Sequence, residues 1–230
     1  MRAALSVVIP VLNAERALPG CLAALMEGLE AGLIRELVIS DGGSSDATVQ
    51  IAEEVGAVVV TGPASRGGQL RRGAEVAQGE WLLLLHADTQ LAPGWTDAVI
   101  AHMQGQGAAY FRLAFASSAL AGRFVAGWAN LRARWFGLPY GDQGLLISRA
   151  QLEAIGGVPD QPLMEDVALA RALRGQLHAL PVIARTSAER YETEGWCRRG
   201  CRNLWTLARY LAGADPERLA QDYRRSDRRS

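Results

Sequence analysis

The amino-acid sequence predicts a doubly wound α/β fold built on a mostly parallel sheet. Three observations carry this. Short, wholly apolar runs recur through the first ninety residues, segments with helical periodicity separate them, and a polar, glycine-bearing segment follows most of the runs. Alternation of strand and helix at this spacing demands βαβ units with right-handed crossovers.

Leu5–Pro10 (LSVVIP) is continuously apolar rather than alternating, as a strand covered on both faces requires. From Ala14 to about Ala31, Leu18, Leu22, Leu25 and Leu29 recur at helical spacing. The cycle repeats with a strand at Glu36–Ser40, a helix at Ala47–Val55, a strand at Ala57–Thr61, a helix at Gly67–Gln78 and an apolar strand at Trp81–Leu85. The second half is less regular. Tyr110–Phe115 alternates like a half-exposed strand, and Ser118–Phe136 is helical with Leu120, Phe124, Trp128, Leu131 and Trp135 on one face. A periodic apolar stripe of that kind is expected to face the core. Leu145–Ser148 and His178–Arg185 read as strands; Asp166–Leu173, Trp196–Leu211 and Glu217–Arg225 read as helices, with a frayed basic tail after Tyr223. No internal repeat or low-complexity linker interrupts the chain.

Composition narrows the function. Of 230 residues, 49% are apolar and 21% charged, and the formal net charge is zero, so no overall field draws the protein to nucleic acid. All 24 basic residues are arginine, which excludes Schiff-base lysines and a Walker-type phosphate lysine. From Trp196 to Ser230 nine arginines stand against four acids, a local excess of five. The cysteines, Cys21, Cys197 and Cys201, do not make a disulfide framework, and the last two, at i and i+4, lack nearby partners for zinc. The start of the chain does not read as a signal peptide, and no apolar stretch reaches membrane-spanning length. A cytoplasmic protein, at most peripheral at the inner membrane, is expected.

In open α/β sheets ligands bind beyond the carboxyl ends of the strands, so the residues after each strand are the place to seek chemistry. After the first strand come Pro10-Val11-Leu12-Asn13-Ala14-Glu15, where Asn13 is suited to cap the next helix and Glu15 to its first turn, or both to a ligand. After the second come Asp41-Gly42-Gly43-Ser44-Ser45-Asp46: a capped turn, or a carboxylate placed against the polar edge of a base. After the fourth come His86-Ala87-Asp88-Thr89. Asp88 is a hard oxygen donor suited to Mg²⁺ or Mn²⁺, ions that hold diphosphates, and His86 offers a second ligand or a phosphate donor on the same strand face.

VIPVLNAE, ISDGGSSDAT and GEWLLLLHADT, in that order over residues 5–90, resemble the nucleotide-sugar-binding half of family-2 glycosyltransferases of the GT-A fold. Ser65–Ala74, His86–Thr89, Gly141-Asp142-Gln143-Gly144, Pro162-Leu163-Met164-Glu165-Asp166 and Thr186-Ser187-Ala188 resemble a bacterial subgroup of these enzymes, extending the likeness over nearly the whole chain. The resemblance implies a nucleotide-sugar site at Pro10, Asn13, Glu15, Asp41, Gly43, Ser44, Asp46, Arg66, Gln69 and Ala87. Within it Asp41 contacts base or ribose. It implies Asp88 as metal ligand, with His86 standing where the Asp-x-Asp motif has its first acid. That exchange removes one charge from the ion. Asp142 and Gln143, in a glycine-flanked loop, are suited to bind sugar or acceptor hydroxyls, although a tight turn explains Gly141 and Gly144 equally well. Asp166 is implied as the general base that takes the acceptor hydroxyl's proton, with Glu165 orienting it, although acids also simply favour a helix start.

On this reading residues 1–90 form the nucleotide-sugar half, 91–195 the acceptor and catalytic half with mixed α+β structure, and 196–230 basic C-terminal helices of a single GT-A domain. The expected reaction is inverting, metal-assisted transfer from a nucleotide-diphosphate sugar, a UDP-sugar first, to an acceptor hydroxyl. The acceptor is a saccharide, a lipid-linked species or a small molecule; no nucleic-acid partner is expected. The basic C-terminal region, with the tryptophans of Ser118–Phe136, offers peripheral contact with an anionic membrane. Two alternatives remain open: a sugar-phosphate nucleotidyltransferase, and a non-catalytic nucleotide-binding protein of the same fold.

Overall fold

In the computed structural model, residues 3–227 are described. β1 (Leu5–Val11), β2 (Ile34–Asp41), β3 (Val58–Thr61) and β4 (Trp81–Leu84) lie parallel in the order β3-β2-β1-β4, connected through α1 (Leu18–Glu30), α2 (Thr48–Glu54) and α3 (Arg66–Val76). β7 (Leu145–Ser148) runs antiparallel to β4 and to β6 (Ala108–Phe115); β6 runs parallel to β8 (Leu177–Thr186), and β5 (Thr89–Leu91) closes the edge antiparallel to β8. One eight-stranded sheet thus takes strands from both halves of the chain. The remaining helices are α4 (Trp95–Met103), α5 (Leu120–Phe136), α6 (Arg149–Ala154), α7 (Glu165–Ala172), α8 (Glu189–Glu194), α9 (Trp196–Leu211) and α10 (Pro216–Asp227).

Alternation within the strands builds two cores. Leu5, Val7, Ile9, Ile39, Leu83 and Leu85 point to one side, against Leu18, Cys21 and Leu25 of α1 and Trp95 and Val99 of α4. Val8, Val38, Leu82 and Leu84 point to the other, against Leu70 and Ala74 of α3 and Leu169 of α7. Both faces are covered, which is why the runs are apolar without alternation. Pro10 sits inside β1 at no cost to the ladder. Val8 O accepts from Leu85 N on the β4 side, and β4 pairing ends there, so the missing N–H of Pro10 faces no strand.

Several elements depart from the sequence expectation. α1 starts at Leu18 and not Ala14, because Ala14–Ala17 form a turn. β6 is buried along most of its length rather than half-exposed. It is an interior strand, and Asn130 of α5 both accepts from Leu113 N and donates to Leu113 O. α7 begins one residue early, at Glu165, after Met164 takes φ 64°. β5, α4, α6 and α8 had no clear periodic signal. α4 is fixed by tertiary partners: the Trp95 ring fills the space left by Gly28, its Nε1 donates to Ala24 O at 3.1 Å, and Glu27 accepts from Gly94 N and Thr96 N. The basic tail does not fray after Tyr223, since α10 continues to Asp227; residues 228–230 lie outside the described residues.

The largest reversal concerns α5. The aromatic stripe expected in the core faces solvent: Phe124 is 81% exposed and Trp135 70%, with Leu120 and Trp128 also outside. The helix instead buries Gly122, Ala126, Ala129, Arg132 and Ala133. Small residues permit close approach, and a side chain at Gly122 would collide with the Trp196 ring.

Trp95 is fully buried. Trp95→Ala is expected to cost about 3–5 kcal/mol by cavity formation, measured by denaturant unfolding. A loss under about 1 kcal/mol would show that Trp95 does not anchor α4.

Candidate functional site

The first two strand ends are stitched to each other by side chains. Asn13, at φ 50°, does not cap α1; its N–H donates to Ser44 Oγ at 2.9 Å and its Oδ1 accepts from Ser45 N at 2.9 Å. Glu15 likewise lies outside α1, its N–H donating to Asp46 Oδ2 and its carboxylate accepting from Ala47 N. Asp46 receives the Thr48 N–H and so helps to start α2. Asp41, buried at the tip of β2, accepts from Gly43 N (2.8 Å) and from both the N–H and the hydroxyl of Ser44. Gly43 takes φ 93°, the left-handed conformation this turn needs. Gln69 of α3 is buried, and its amide donates to Val11 O at 2.7 Å and Ser40 O at 2.9 Å, joining the ends of β1 and β2. The loops are thus built as one rigid rim, and Gln69 acts from beneath it.

β4 ends at Leu84, so His86 and Asp88 do not share a strand face. They stand at the two sides of a tight turn in which Thr89 N donates to His86 O at 3.1 Å. Asp88 is exposed, Ala87 is buried, and the imidazole lies against Gly141, its Nε2 where a side chain on that glycine would be. Burial and then the Arg66 charge pull His86 down to about 4, so it is neutral at physiological pH.

Opposite this turn, Gly141–Gln143 form a single 3-10 turn, and α7 presents Glu165 and Asp166. Asp166 Oδ2 accepts from Gly141 N at 2.8 Å and Oδ1 from Val167 N at 2.7 Å, so the carboxylate ties the two segments together. Glu165 is 1% exposed; burial, then the neighbouring Asp166, push it up to about 7. Burial raises Asp142 to about 7 as well, against the opposing charge of Arg132. Gln143 is fully buried, donating to Phe111 O and accepting from Tyr140 N, so it shapes the turn from inside. Arg66 begins α3 beside these acids; desolvation pulls it down, but Glu165 and then Asp166 outweigh that and leave it raised. Its placement depends on Gly67, whose N–H donates to Gln161 O and where any Cβ would strike Pro159 O.

A small, mostly apolar cavity runs between β4, the 3-10 turn and α7, bordered by Leu70, His86, Tyr140, Glu165 and Asp166. Around it His86 Nε2, Tyr140 Oη, Asp142 Oδ1, Glu165 Oε2 and Arg132 Nη2 are buried without a hydrogen-bond partner. Unsatisfied buried polar atoms are costly and ordinarily scarce, so their concentration at one place marks a candidate site. Two members of this cluster were not singled out in the sequence. Arg132 stacks on the Tyr140 ring at 3.3 Å from its centroid and donates to Leu138 O. The only sequence trace of Arg132 was a charge on the small-residue face of α5; Tyr140 was marked by its place beside the Gly141–Gly144 loop.

The ordinary Glu165 carboxyl value is 4.5, against about 7 in the fold. Between those values the native protein keeps a proton that the unfolded chain has lost, so this group makes stability fall as pH rises through that window, and level off above it. Glu165→Gln removes the effect. In metal-free buffer the variant's thermal midpoint relative to wild type is expected to climb between pH 4.5 and 7. A flat difference across the window would show that Glu165 is not held neutral.

Comparison with known proteins bears on the family and the fold. Residues 6–126 match the model of the family described as Glycosyl transferase family 2. Two curated proteins described as PGL/p-HBAD biosynthesis glycosyltransferase, from Mycobacterium bovis (strain BCG / Pasteur 1173P2) and Mycobacterium tuberculosis (strain ATCC 25177 / H37Ra), are each 34% identical over 108 residues, covering 44% of this chain and 41% of theirs. The match therefore spans less than half the length of these relatives. Among solved structures, S. aureus TarS 1-349 superposes with a TM-score of 0.63 at 15% identity, over 94% of this chain and 68% of that one. Glucosyl-3-phosphoglycerate synthase from Mycobacterium tuberculosis, bound to Mn²⁺ and UDP-glucose, superposes with a TM-score of 0.56 at 19% identity, over 80% of this chain and 69% of that one. These two share its mixed α/β fold, and by the match over its first half the chain belongs to glycosyl transferase family 2.

Proposed function

We propose that the protein is an inverting glycosyltransferase that moves a sugar from a UDP-sugar to an acceptor hydroxyl with the help of Mn²⁺ or Mg²⁺. The observation that carries this is the cavity beyond the end of β4 that Glu165 and Asp166 line, with the charges of Arg66, Asp88 and Asp142 close enough to act on these acids or on one another. The donor assignment is supported by TarS crystallised with UDP-GlcNAc and the mycobacterial synthase crystallised with UDP-glucose.

The stitched rim from Pro10 to Glu15 and Asp41 to Asp46 holds the nucleotide, with the rigid Asp41 turn setting the position of base and ribose. The donor set fits a hard divalent ion in part. Asp88 offers an exposed carboxylate, while His86, neutral and unpartnered at Nε2, lies against Gly141. Among the described residues no three His, Cys, Asp or Glu side chains gather into a metal cage, which agrees with ligation shared with substrate oxygens. The ion goes to Asp88 here, and His86 is assigned to holding the Gly141 turn. When bound, such an ion supplies positive charge to the departing diphosphate.

Arg66 adds a fixed charge on the same side, stabilising the leaving diphosphate as the C1–O bond breaks. Asp166 accepts the acceptor hydroxyl's proton, and its hydrogen bond from Gly141 N holds the carboxylate in place. Glu165, buried and pushed up to about 7, positions acceptor or backbone, and Asp142 contacts acceptor hydroxyls from the facing turn. The acceptor is a saccharide, a lipid-linked species or a small molecule.

Asp166→Asn is expected to fold and bind UDP as the wild type does, and to lose transfer by at least about a hundredfold; near wild-type turnover would remove Asp166 from the base role. A nucleotidyltransferase would form no UDP in this assay, and would instead release pyrophosphate when given a nucleoside triphosphate and a sugar 1-phosphate. In titration calorimetry, Asp88→Ala is expected to abolish the gain in UDP affinity given by Mn²⁺, and His86→Ala to keep most of it. An unchanged metal response in Asp88→Ala rules out this ligand assignment.

A further inference from the structure

The solvent face of α9 repeats the inversion seen in α5. Cys197, Cys201, Leu204, Trp205, Ala208 and Leu211, one stripe at helical spacing, are all exposed, whereas Arg199 and Thr206 point inward. Arg199 can be buried because Glu194 and the Tyr223 hydroxyl meet it. Trp205 is 66% exposed. Single exposed apolar residues need no account, but two helices that each turn an aromatic-bearing stripe outward do. The stripes meet at their ends, where Phe136 of α5 and Leu211 of α9 line one groove together with Arg171 of α7 and Arg174 just beyond it.

We propose that this face of α5 and α9 lies on an anionic lipid surface, with Phe124, Trp128, Trp135 and Trp205 entering the headgroup boundary. The proposal rests on surface chemistry and stands apart from the transferase reading. Charge selects the occupant. Neither helix contains an acid, and Arg123, Arg134 and Arg198 stand exposed beside the stripes, with Arg171 and Arg174 exposed at the groove. Lipid phosphates complement that pattern, whereas a second copy of the same face would set arginine against arginine. Tryptophan and phenylalanine beside arginine suit the boundary between acyl chains and headgroups. Among the described residues no helix is long and apolar enough to cross a bilayer, so the contact is in-plane. The groove borders α7, whose first turn carries Glu165 and Asp166, so the surface lies one short helix from the site.

Vesicle co-flotation tests this with phosphatidylcholine alone and with phosphatidylglycerol added. Wild type is expected to float with the phosphatidylglycerol vesicles and to release them as salt is raised. The double variant Phe124→Glu, Trp205→Glu should lose at least about tenfold in partitioning; both side chains are exposed, so its thermal midpoint and circular dichroism should match wild type. Flotation that is absent at low salt, or undiminished in the double variant, overturns the proposal. So does a wild-type dimer in sedimentation velocity that the double variant dissolves, since the face would then belong to a second copy.

Discussion

The Gln69 carboxamide, placed beneath the carboxyl ends of β1 and β2, is the contact on which the site depends. Strands in a twisted sheet diverge where their ladder stops, and the last rung between these two is Gly42 N donating to Val11 O at 2.9 Å. One buried amide donates to both Val11 O and Ser40 O and so keeps the two ends at a fixed separation. Above it, Asn13 reaches Ser45 and Glu15 reaches Ala47, each completing a loop that its own strand could not hold. The same helix that carries Gln69 starts with Arg66 and Gly67, so one element sets the rim, the cationic side and the approach of the 159–161 segment.

That economy explains how the cavity beside it can leave so many polar atoms unpaired. Each unsatisfied group at Tyr140, Asp142 and Glu165 costs stability, on the order of 1–3 kcal/mol, and persists only where the frame around it is over-determined. Here Asp166 clamps Gly141, Gln143 clamps Tyr140 and Phe111, and Arg132 stacks on Tyr140. Burial then sets protonation: His86 is neutral, and Glu165 and Asp142 titrate near neutrality, away from their usual values. A donor, an acceptor and a fixed cation are therefore present together near pH 7, an arrangement that acid–base chemistry at a sugar hydroxyl can use.

Much of the first half was legible from residue pattern. Apolar runs without alternation require cover on both faces, and β1, β2 and β4 have it. The polar turns lie beyond the strands' carboxyl ends, as the topology requires. Individual roles were harder to read. Asn13 and Glu15 fit the pattern of a helix start, yet their partners lie some thirty residues away in the other loop, which local spacing cannot reveal. Likewise His86 and Asp88 looked like one strand face because Leu85 extends the apolar run, while the backbone turns at His86.

The sequence by itself determined the order of strands and helices, the two-sided cover of the parallel strands and the polar turns that carry the chemistry, because these follow from local apolar period and turn residues. Only the tertiary structure decided which way each amphipathic helix faces. Periodicity shows that α5 and α9 have an apolar stripe, but inward or outward is settled by partners elsewhere in the chain: Trp196 against Gly122, Glu194 on Arg199, Tyr140 under Arg132. Those partners made it possible to bury arginine and leave tryptophan in the open, a choice no single helix could encode.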